Sequence, residues 1–143
     1  MKLNKKISIW FTGLPSSGKT TTAKKLKKEL DKNKIPSIIL DGDEIRKIIF
    51  NNKNYDKKSR LKSAHNYLKL AKIILRTKII LIVSTNHHTN KQRKFIRKNL
   101  KEGYLEVWMK TPLKICKKRD SKKLYSKYNR GKLKNLVGRR FKV

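Results

Sequence analysis

The fold of this chain is decided by the stretch Gly13-Leu14-Pro15-Ser16-Ser17-Gly18-Lys19-Thr20, which follows an apolar run at residues 7–11. Two glycines, a lysine and a hydroxyl residue at this spacing, placed between a buried strand and a helix, are typical of a phosphate-binding loop. The glycines let backbone N–H groups converge on phosphate oxygens, and the following helix presents the positive end of its dipole to the same anion. The stretch therefore predicts that the chain binds a nucleoside triphosphate.

The residues of this loop have distinct expected contacts. Lys19 is expected to reach the β- and γ-phosphates, and the Thr20 hydroxyl is expected to ligate Mg²⁺. The predicted nucleotide contacts are Gly13, Leu14, Pro15, Ser16, Ser17, Gly18, Lys19, Thr20 and Thr21.

Alternating apolar runs and amphipathic helices predict an α/β fold. Its strands are expected at residues 7–11, 37–40, 79–84 and 104–109. Ala23, Leu26 and Leu30 recur at helical spacing after the loop, and residues 61–75 and 91–100 have a helical pattern as well. The run at 79–84 is apolar up to its last residue, as in a parallel strand covered on both faces. We therefore expect a P-loop kinase-type three-layer fold with a parallel sheet of four to five strands.

Length and charge restrict the function further. The 143 residues are expected to form a single domain, residues 1–143, because no change of composition divides them. The N-terminal apolar run is too short for a signal peptide or a membrane span, so we expect a cytoplasmic protein without membrane contacts. The formal net charge of +32 is spread over the whole chain. This spread argues against a nucleic-acid partner and favours a positive field that attracts anionic nucleotides.

Two carboxylates, Asp41 and Asp43, flank Gly42 at the end of the second predicted strand. They are the acids expected at the catalytic edge of the sheet, since the third strand ends in a hydroxyl, Ser84. One acid would orient a metal-bound water and the other would accept or align the proton of an attacking hydroxyl. Capping of the next helix by Asp43 is the alternative. The predicted catalytic residues are Lys19, Asp41 and Asp43, and the predicted metal ligands are Thr20 and Asp41.

Further motifs extend along nearly the whole chain. They are residues 10–23, Asp41-Gly42-Asp43-x-x-Arg46, Ser59-Arg60, Ser84, Glu106-Val107, Pro112-Leu113, Cys116, Arg119-Asp120, Leu124-Tyr125 and residues 130–138. Together these motifs resemble the adenylyl-sulfate kinase family. The resemblance implies that ATP and Mg²⁺ are used to phosphorylate the 3′-hydroxyl of adenylyl sulfate (adenosine 5′-phosphosulfate). The product would be 3′-phosphoadenylyl sulfate, the activated sulfate donor of sulfate assimilation.

The resemblance also implies where both nucleotides bind. It places Arg119 at the donor nucleotide and residues 120–138 in a lid that closes over both nucleotides. Arg46 and Arg60 would hold the phosphosulfate, and Tyr55 would stack on the acceptor base. The full set of implied acceptor contacts is Arg46, Tyr55, Arg60, Ser84, Lys122 and Leu136. A homodimer is left open as the assembly.

The chain departs from the family pattern on the acceptor side. Ser59-Arg60-Leu61-Lys62-Ser63 stands where the family has Asp-Arg-x-Glu-Asn, and Asn86-His87-His88-Thr89 stands in place of Ile-Ser-Pro-Tyr. Leu136 replaces a lid phenylalanine, which removes base stacking of about 1 to 3 kcal/mol. Two alternative functions therefore stay open: a kinase of another nucleotide-linked small acceptor, and a nucleic-acid-binding P-loop protein or polynucleotide kinase.

The last part of the chain carries two further expectations. The family pattern continues beyond Gly138 into another strand and helix, so this divergent, C-terminally short member is expected to leave residues 104–109 as an exposed edge strand. Thr111 and Pro112 are expected to cap and begin the helix that follows this strand.

Overall fold

The computed structural model of the chain describes residues 5–50, 57–86, 89–134 and 136, without the side chains of residues 49, 50, 57 and 60. Within these residues, parallel strands form one sheet in the order β2-β3-β1-β4. The strands are β1 (Ser8–Gly13), β2 (Ser37–Asp41), β3 (Ile80–Ser84) and β4 (Tyr104–Met109). The predicted α/β fold with a parallel sheet is confirmed.

Helices connect successive strands of this sheet, and the last two helices follow β4 in the sequence. They are α1 (Lys19–Lys32), α2 (Gly42–Ile45), α3 (Lys57–Ile74), α4 (Asn90–Leu100), α5 (Leu113–Arg119) and α6 (Leu124–Asn129). A π-helical turn, Arg46–Phe50, continues α2, and a 3-10 turn, Leu75–Thr77, ends α3. None of the helices in the described part of the chain combines the length and the apolar character needed to cross a lipid bilayer.

The sheet has an apolar core on each face, and β3 contributes side chains to both cores. Leu81 and Val83 pack towards α3 and α4, together with Trp10. Ile80 and Ile82 alternate with them and pack towards α1. Successive side chains of a strand point to opposite faces, so a strand covered on both sides is apolar at every position. This confirms the interpretation of the third apolar run.

Parallel pairing brings the carboxyl ends of three strands together. Asp41, the last residue of β2, lies opposite Ser84, the last residue of β3, and Ser84 in turn lies opposite Phe11 of β1. The phosphate-binding loop leaves β1 at the same edge of the sheet. The fold therefore places the loop and the acidic pair side by side, where ligand sites of parallel α/β sheets are found.

Strand β4 is one of the two outermost strands in the order β2-β3-β1-β4. Among the described residues it pairs with β1 only, as expected for an edge strand. Its side chains include Leu105 and Trp108, which are 54% and 57% exposed. Helix α1 packs on the other three strands and leaves Leu105 uncovered.

Two helix starts differ from the prediction. Helix α2 begins at Gly42, and its cap is Asp41 instead of Asp43, because the Asp41 side chain accepts a hydrogen bond from the Asp43 N–H at 3.0 Å. Asp43 is therefore inside the first turn and is not the cap. Helix α5 begins after Pro112 without a side-chain cap. The Thr111 hydroxyl instead donates to the Ser17 carbonyl oxygen at 2.9 Å.

We expect Gly103→Ala to lower the free energy of unfolding by about 3 kcal/mol or more, because a Cβ at this position would overlap the backbone carbonyl oxygen of Lys6. Gly103 also has a φ of +77° and accepts a hydrogen bond from the Ser8 N–H at 2.8 Å. Urea unfolding measures the change.

Gly131→Ala is the matched control for this substitution. Gly131 has a φ of +69°, but a Cβ there would meet no atom within 4 Å. Only backbone strain of about 1 kcal/mol is then expected. Equal losses of unfolding free energy in the two variants would show that overlap with the Lys6 carbonyl oxygen is not what makes a side chain at position 103 destabilising.

Candidate active site

The phosphate-binding loop has a backbone that only glycine accepts at its first position. Gly13 has a φ of +148°, and a Cβ would lie 2.9 Å from both the Met109 carbonyl oxygen and the Ser17 hydroxyl oxygen. Gly18 has a φ of +98° and directly precedes α1. Positive φ values turn the chain into a concave loop whose N–H groups can bind an anion. The loop therefore has the conformation that its sequence pattern predicts.

Lys19 holds its positive charge at the base of this loop. Its Nζ donates to the carbonyl oxygens of Gly13 at 2.9 Å and Leu14 at 2.7 Å, and the residue is 8% exposed. Burial, and after it the neighbouring ammonium of Lys122, lowers the pKa of Lys19 to about 8. Desolvation disfavours the charged form of a lysine because the ammonium loses its contacts with water. The negative charge of a phosphate bound in the loop would restore this stabilisation.

Thr20 connects the loop to the acidic pair. Its Oγ1 donates to Asp41 Oδ2 at 2.8 Å and lies 3.1 Å from Ser84 Oγ. The other carboxylate oxygen of Asp41, Oδ1, accepts the Asp43 N–H. Both oxygens of Asp41 are thus engaged in holding the loop and α2, whereas the Asp43 side chain faces the cavity described below.

Gly42, between the two acids, is closely packed. A Cβ there would lie 3.1 Å from the Ser84 carbonyl oxygen, and the Gly42 carbonyl oxygen accepts a hydrogen bond from the Tyr67 hydroxyl at 3.2 Å. Burial raises the pKa of Tyr67, so this hydroxyl stays protonated and remains a donor. Tyr67 was not among the predicted site residues. The only signal in the sequence is its position within the helical pattern of residues 61–75.

The oxygen atoms of Thr20 and Asp41 suit a magnesium ion. Mg²⁺ prefers hard oxygen ligands and completes its coordination with waters and substrate phosphates, so it needs few protein groups. Among the described residues, no cluster of three or more histidine, cysteine, aspartate or glutamate side chains could hold a metal. The hydroxyl–carboxylate pair is therefore compatible with Mg²⁺ held together with a nucleotide.

A cavity of about 740 Å³ opens in front of the loop. Its volume is within the usual range for small-molecule sites. It extends from the loop to α2 on one side and to the turn between α5 and α6 on the other. The predicted site residues on its wall are residues 15–21, Asp43, Arg46, Ser84, Arg119 and Lys122.

The segment after α5 is attached to the phosphate-binding loop. The Tyr125 hydroxyl donates to the Pro15 carbonyl oxygen at 3.0 Å, and the hydroxyl oxygens of Ser121 and Ser16 lie 3.2 Å apart. Asp120 accepts the Tyr125 N–H at 3.0 Å and so fixes the start of α6. Neither Tyr125 nor Ser121 was among the predicted contacts. The structure thus places the beginning of the predicted lid directly against the loop.

Leu136 differs from its predicted role. It is 4% exposed and packs with Cys116 and Tyr125, and the described residues that line the cavity do not include it. An aliphatic side chain gains more from this apolar cluster than from a water-filled cavity. Two predicted acceptor contacts, Tyr55 and the side chain of Arg60, lie outside the described residues, as do His87 and His88.

Comparisons with known proteins agree with this geometry. The model of a family described as adenylylsulphate kinase matches residues 5–142. The adenylyl-sulfate kinase of Buchnera aphidicola subsp. Acyrthosiphon pisum is 37% identical over 94% of this chain, and that of Bacteroides fragilis strain YCH46 is 38% identical over 92%. The chain covers 66% of the length of each of these relatives, just under two thirds.

A solved structure has a closely similar fold. The structure of the Mycobacterium tuberculosis APS kinase CysC in complex with AMPPNP and APS matches with a TM-score of 0.87 and 27% identity. The match covers 92% of this chain and 78% of that one. The sheet and its flanking helices are therefore those of a P-loop kinase.

We expect the affinity for ATP to be constant below a pH of about 8 and to fall above it. Lys19 in the free chain loses its proton as the pH rises through about 8. A bound triphosphate favours the charged form and raises the pKa in the complex, so affinity falls by up to about tenfold per pH unit above 8. Calorimetric titration with ATP and Mg²⁺ on both sides of this pH measures the slope.

Lys19→Ala is the control for this pH dependence. Its weaker affinity is expected to vary little across the same range, because the titrating ammonium is gone. A slope that is unchanged in Lys19→Ala would assign the effect to another group.

Proposed function

The chain belongs to the adenylyl-sulfate kinase family, and on this basis we propose that it transfers the γ-phosphoryl group of ATP to the 3′-hydroxyl of adenylyl sulfate. The observation that carries the proposal is the single cavity that joins the phosphate-binding loop to Asp43 and Arg46. Phosphoryl transfer needs positioning and neutralisation of charge more than covalent chemistry, and this cavity has groups for both.

The donor half of the proposed site is formed by the loop, Lys19 and Thr20. The loop N–H groups and the Lys19 ammonium would bind the phosphates of ATP, and Arg119 lies on the same wall. Thr20 and Asp41 would hold Mg²⁺. When bound, the ion neutralises charge on the phosphates.

The two acids have different tasks in this proposal. Both oxygens of Asp41 are engaged with Thr20 and the Asp43 N–H, so Asp41 orients the loop and the metal. Asp43 is left to accept a proton. The 3′-hydroxyl oxygen forms a bond to the γ-phosphorus, the bond from this phosphorus to the β–γ bridging oxygen breaks, and ADP leaves with the electron pair. The hydroxyl proton passes to Asp43.

The acceptor half rests on fewer described contacts. Arg46 and Ser84 lie on the cavity wall, and a guanidinium suits a phosphosulfate because it makes paired charged hydrogen bonds. The roles of Tyr55 and Arg60 stay predictions, as do the cytoplasmic location and the homodimer.

A kinase of another nucleotide-linked acceptor is the second candidate. It is favoured by Leu136, which packs against Cys116 and Tyr125 and so offers no stacking surface of its own to an acceptor base. The loss of stacking changes which base is preferred, while the donor site is unaffected.

We expect labelled phosphate to pass from ATP to adenylyl sulfate, and not to DNA or RNA ends, when these acceptors and other nucleotide conjugates are compared in one assay. Asp43→Asn keeps the shape of the side chain but removes the proton acceptor, so kcat should fall by about 10²- to 10⁴-fold. Chromatography of the labelled products measures the transfer.

Lys19→Ala serves as the inactive reference in this assay. Transfer to a different nucleotide conjugate alone would support the second candidate. Label on oligonucleotide ends alone would contradict both candidates and favour a polynucleotide kinase.

A further inference from the structure

An ion pair between Lys122 and Asp43 connects the two walls of the cavity. The Lys122 ammonium contacts Oδ2 of the Asp43 carboxylate. Asp43 lies in the first turn of α2, whereas Lys122 lies in the turn between α5 and α6, and both side chains line the cavity. The carboxylate that is proposed to accept a proton is therefore already paired with a cation.

The backbone next to Lys122 is held against the phosphate-binding loop. The hydroxyl oxygens of Ser121 and Ser16 are 3.2 Å apart, and the Tyr125 hydroxyl donates to the Pro15 carbonyl oxygen at 3.0 Å. The Lys122 side chain itself is 49% exposed. Its ammonium can thus change partner by rotation of the side chain, without movement of the anchored backbone.

Two ammonium groups lie near the place where a triphosphate would bind. Lys122 is close enough to Lys19 to contribute to the lowered pKa of Lys19, after the effect of burial. Both cations line the same cavity. A triphosphate carries several negative charges and Asp43 carries one, so a triphosphate bound in this cavity competes with Asp43 for the Lys122 ammonium.

We infer that Lys122 is a latch on Asp43 and that binding of a triphosphate releases it. In the free chain the ammonium of Lys122 covers one oxygen of the carboxylate. When the donor binds, this ammonium moves to the phosphates and the Asp43 carboxylate is uncovered towards the cavity. The latch thus uncovers this carboxylate only after the donor is in place. This inference rests on the proposed function, and Lys122 acts in it as a positioning residue.

The latch predicts a specific pattern of affinities for AMPPNP in the presence of Mg²⁺. Asp43→Asn removes the carboxylate that competes for Lys122, so AMPPNP should bind more tightly by up to about fivefold, the upper limit expected for a half-exposed ion pair. In a Lys122→Gln background the same substitution should change the affinity by less than about 1.5-fold, because no pair remains to be broken. Equilibrium titration of the four proteins measures both effects.

Lys123→Gln is the matched control for Lys122→Gln. Lys123 is exposed, lies one residue further along the same turn, and its substitution removes the same charge. The gain caused by Asp43→Asn should persist in the Lys123→Gln background. A general effect of charge would change the gain in affinity equally in the Lys122→Gln and Lys123→Gln proteins. The latch predicts that only Lys122→Gln abolishes this gain.

Two results would overturn the latch while the proposed function stands. One is a gain from Asp43→Asn that persists in the Lys122→Gln background, and the other is no gain in the unmodified background although AMPPNP binds. A complete lack of AMPPNP binding by the unmodified chain would contradict the donor site and the latch together. If the AMPPNP affinities follow the predicted pattern but adenylyl sulfate is not phosphorylated, only the proposed identity of the acceptor is contradicted.

Discussion

The hydrogen bond from Thr20 to Asp41 is the contact on which the site depends. It joins the first turn of α1 to the end of β2, two segments that come together only because β2 and β3 pair with Asp41 opposite Ser84. With Oδ2 fixed by Thr20 and Oδ1 fixed by the Asp43 N–H, Asp41 sets where α2 begins. The position of Asp43 at the cavity, where it pairs with Lys122, follows from this one carboxylate.

The sequence was sufficient to predict the features that depend on a local pattern of residues. The phosphate-binding loop is recognisable because its backbone demands glycine at fixed positions, and β3 is recognisable because a strand buried on both faces is apolar throughout. The location of the acids at a strand end also followed, since parallel strands end at a common edge. The confirmed parts of the fold are of this local kind.

Contacts between distant segments could not be predicted in the same way. Thr111 reaches the Ser17 carbonyl across 94 residues of sequence, and Tyr125 reaches the Pro15 carbonyl across 110. A hydroxyl residue before a proline reads as a helix cap, because that is its commonest local use. The different contacts of Asp41 and Asp43, and the apolar packing of Leu136, likewise depend on which segments meet in three dimensions.

The open edge of the sheet affects how copies of this chain behave at high concentration. Among the described residues β4 pairs on one side only and exposes the side chains of Leu105 and Trp108, and such an edge is a template for pairing with another chain. A net charge of +32 opposes this, because two like-charged molecules repel each other before their strands meet. That repulsion extends over about 10 Å at 0.1 M salt and over only about 3 Å at 1 M. Concentrated electrolyte therefore weakens the electrostatic repulsion that opposes pairing at this edge.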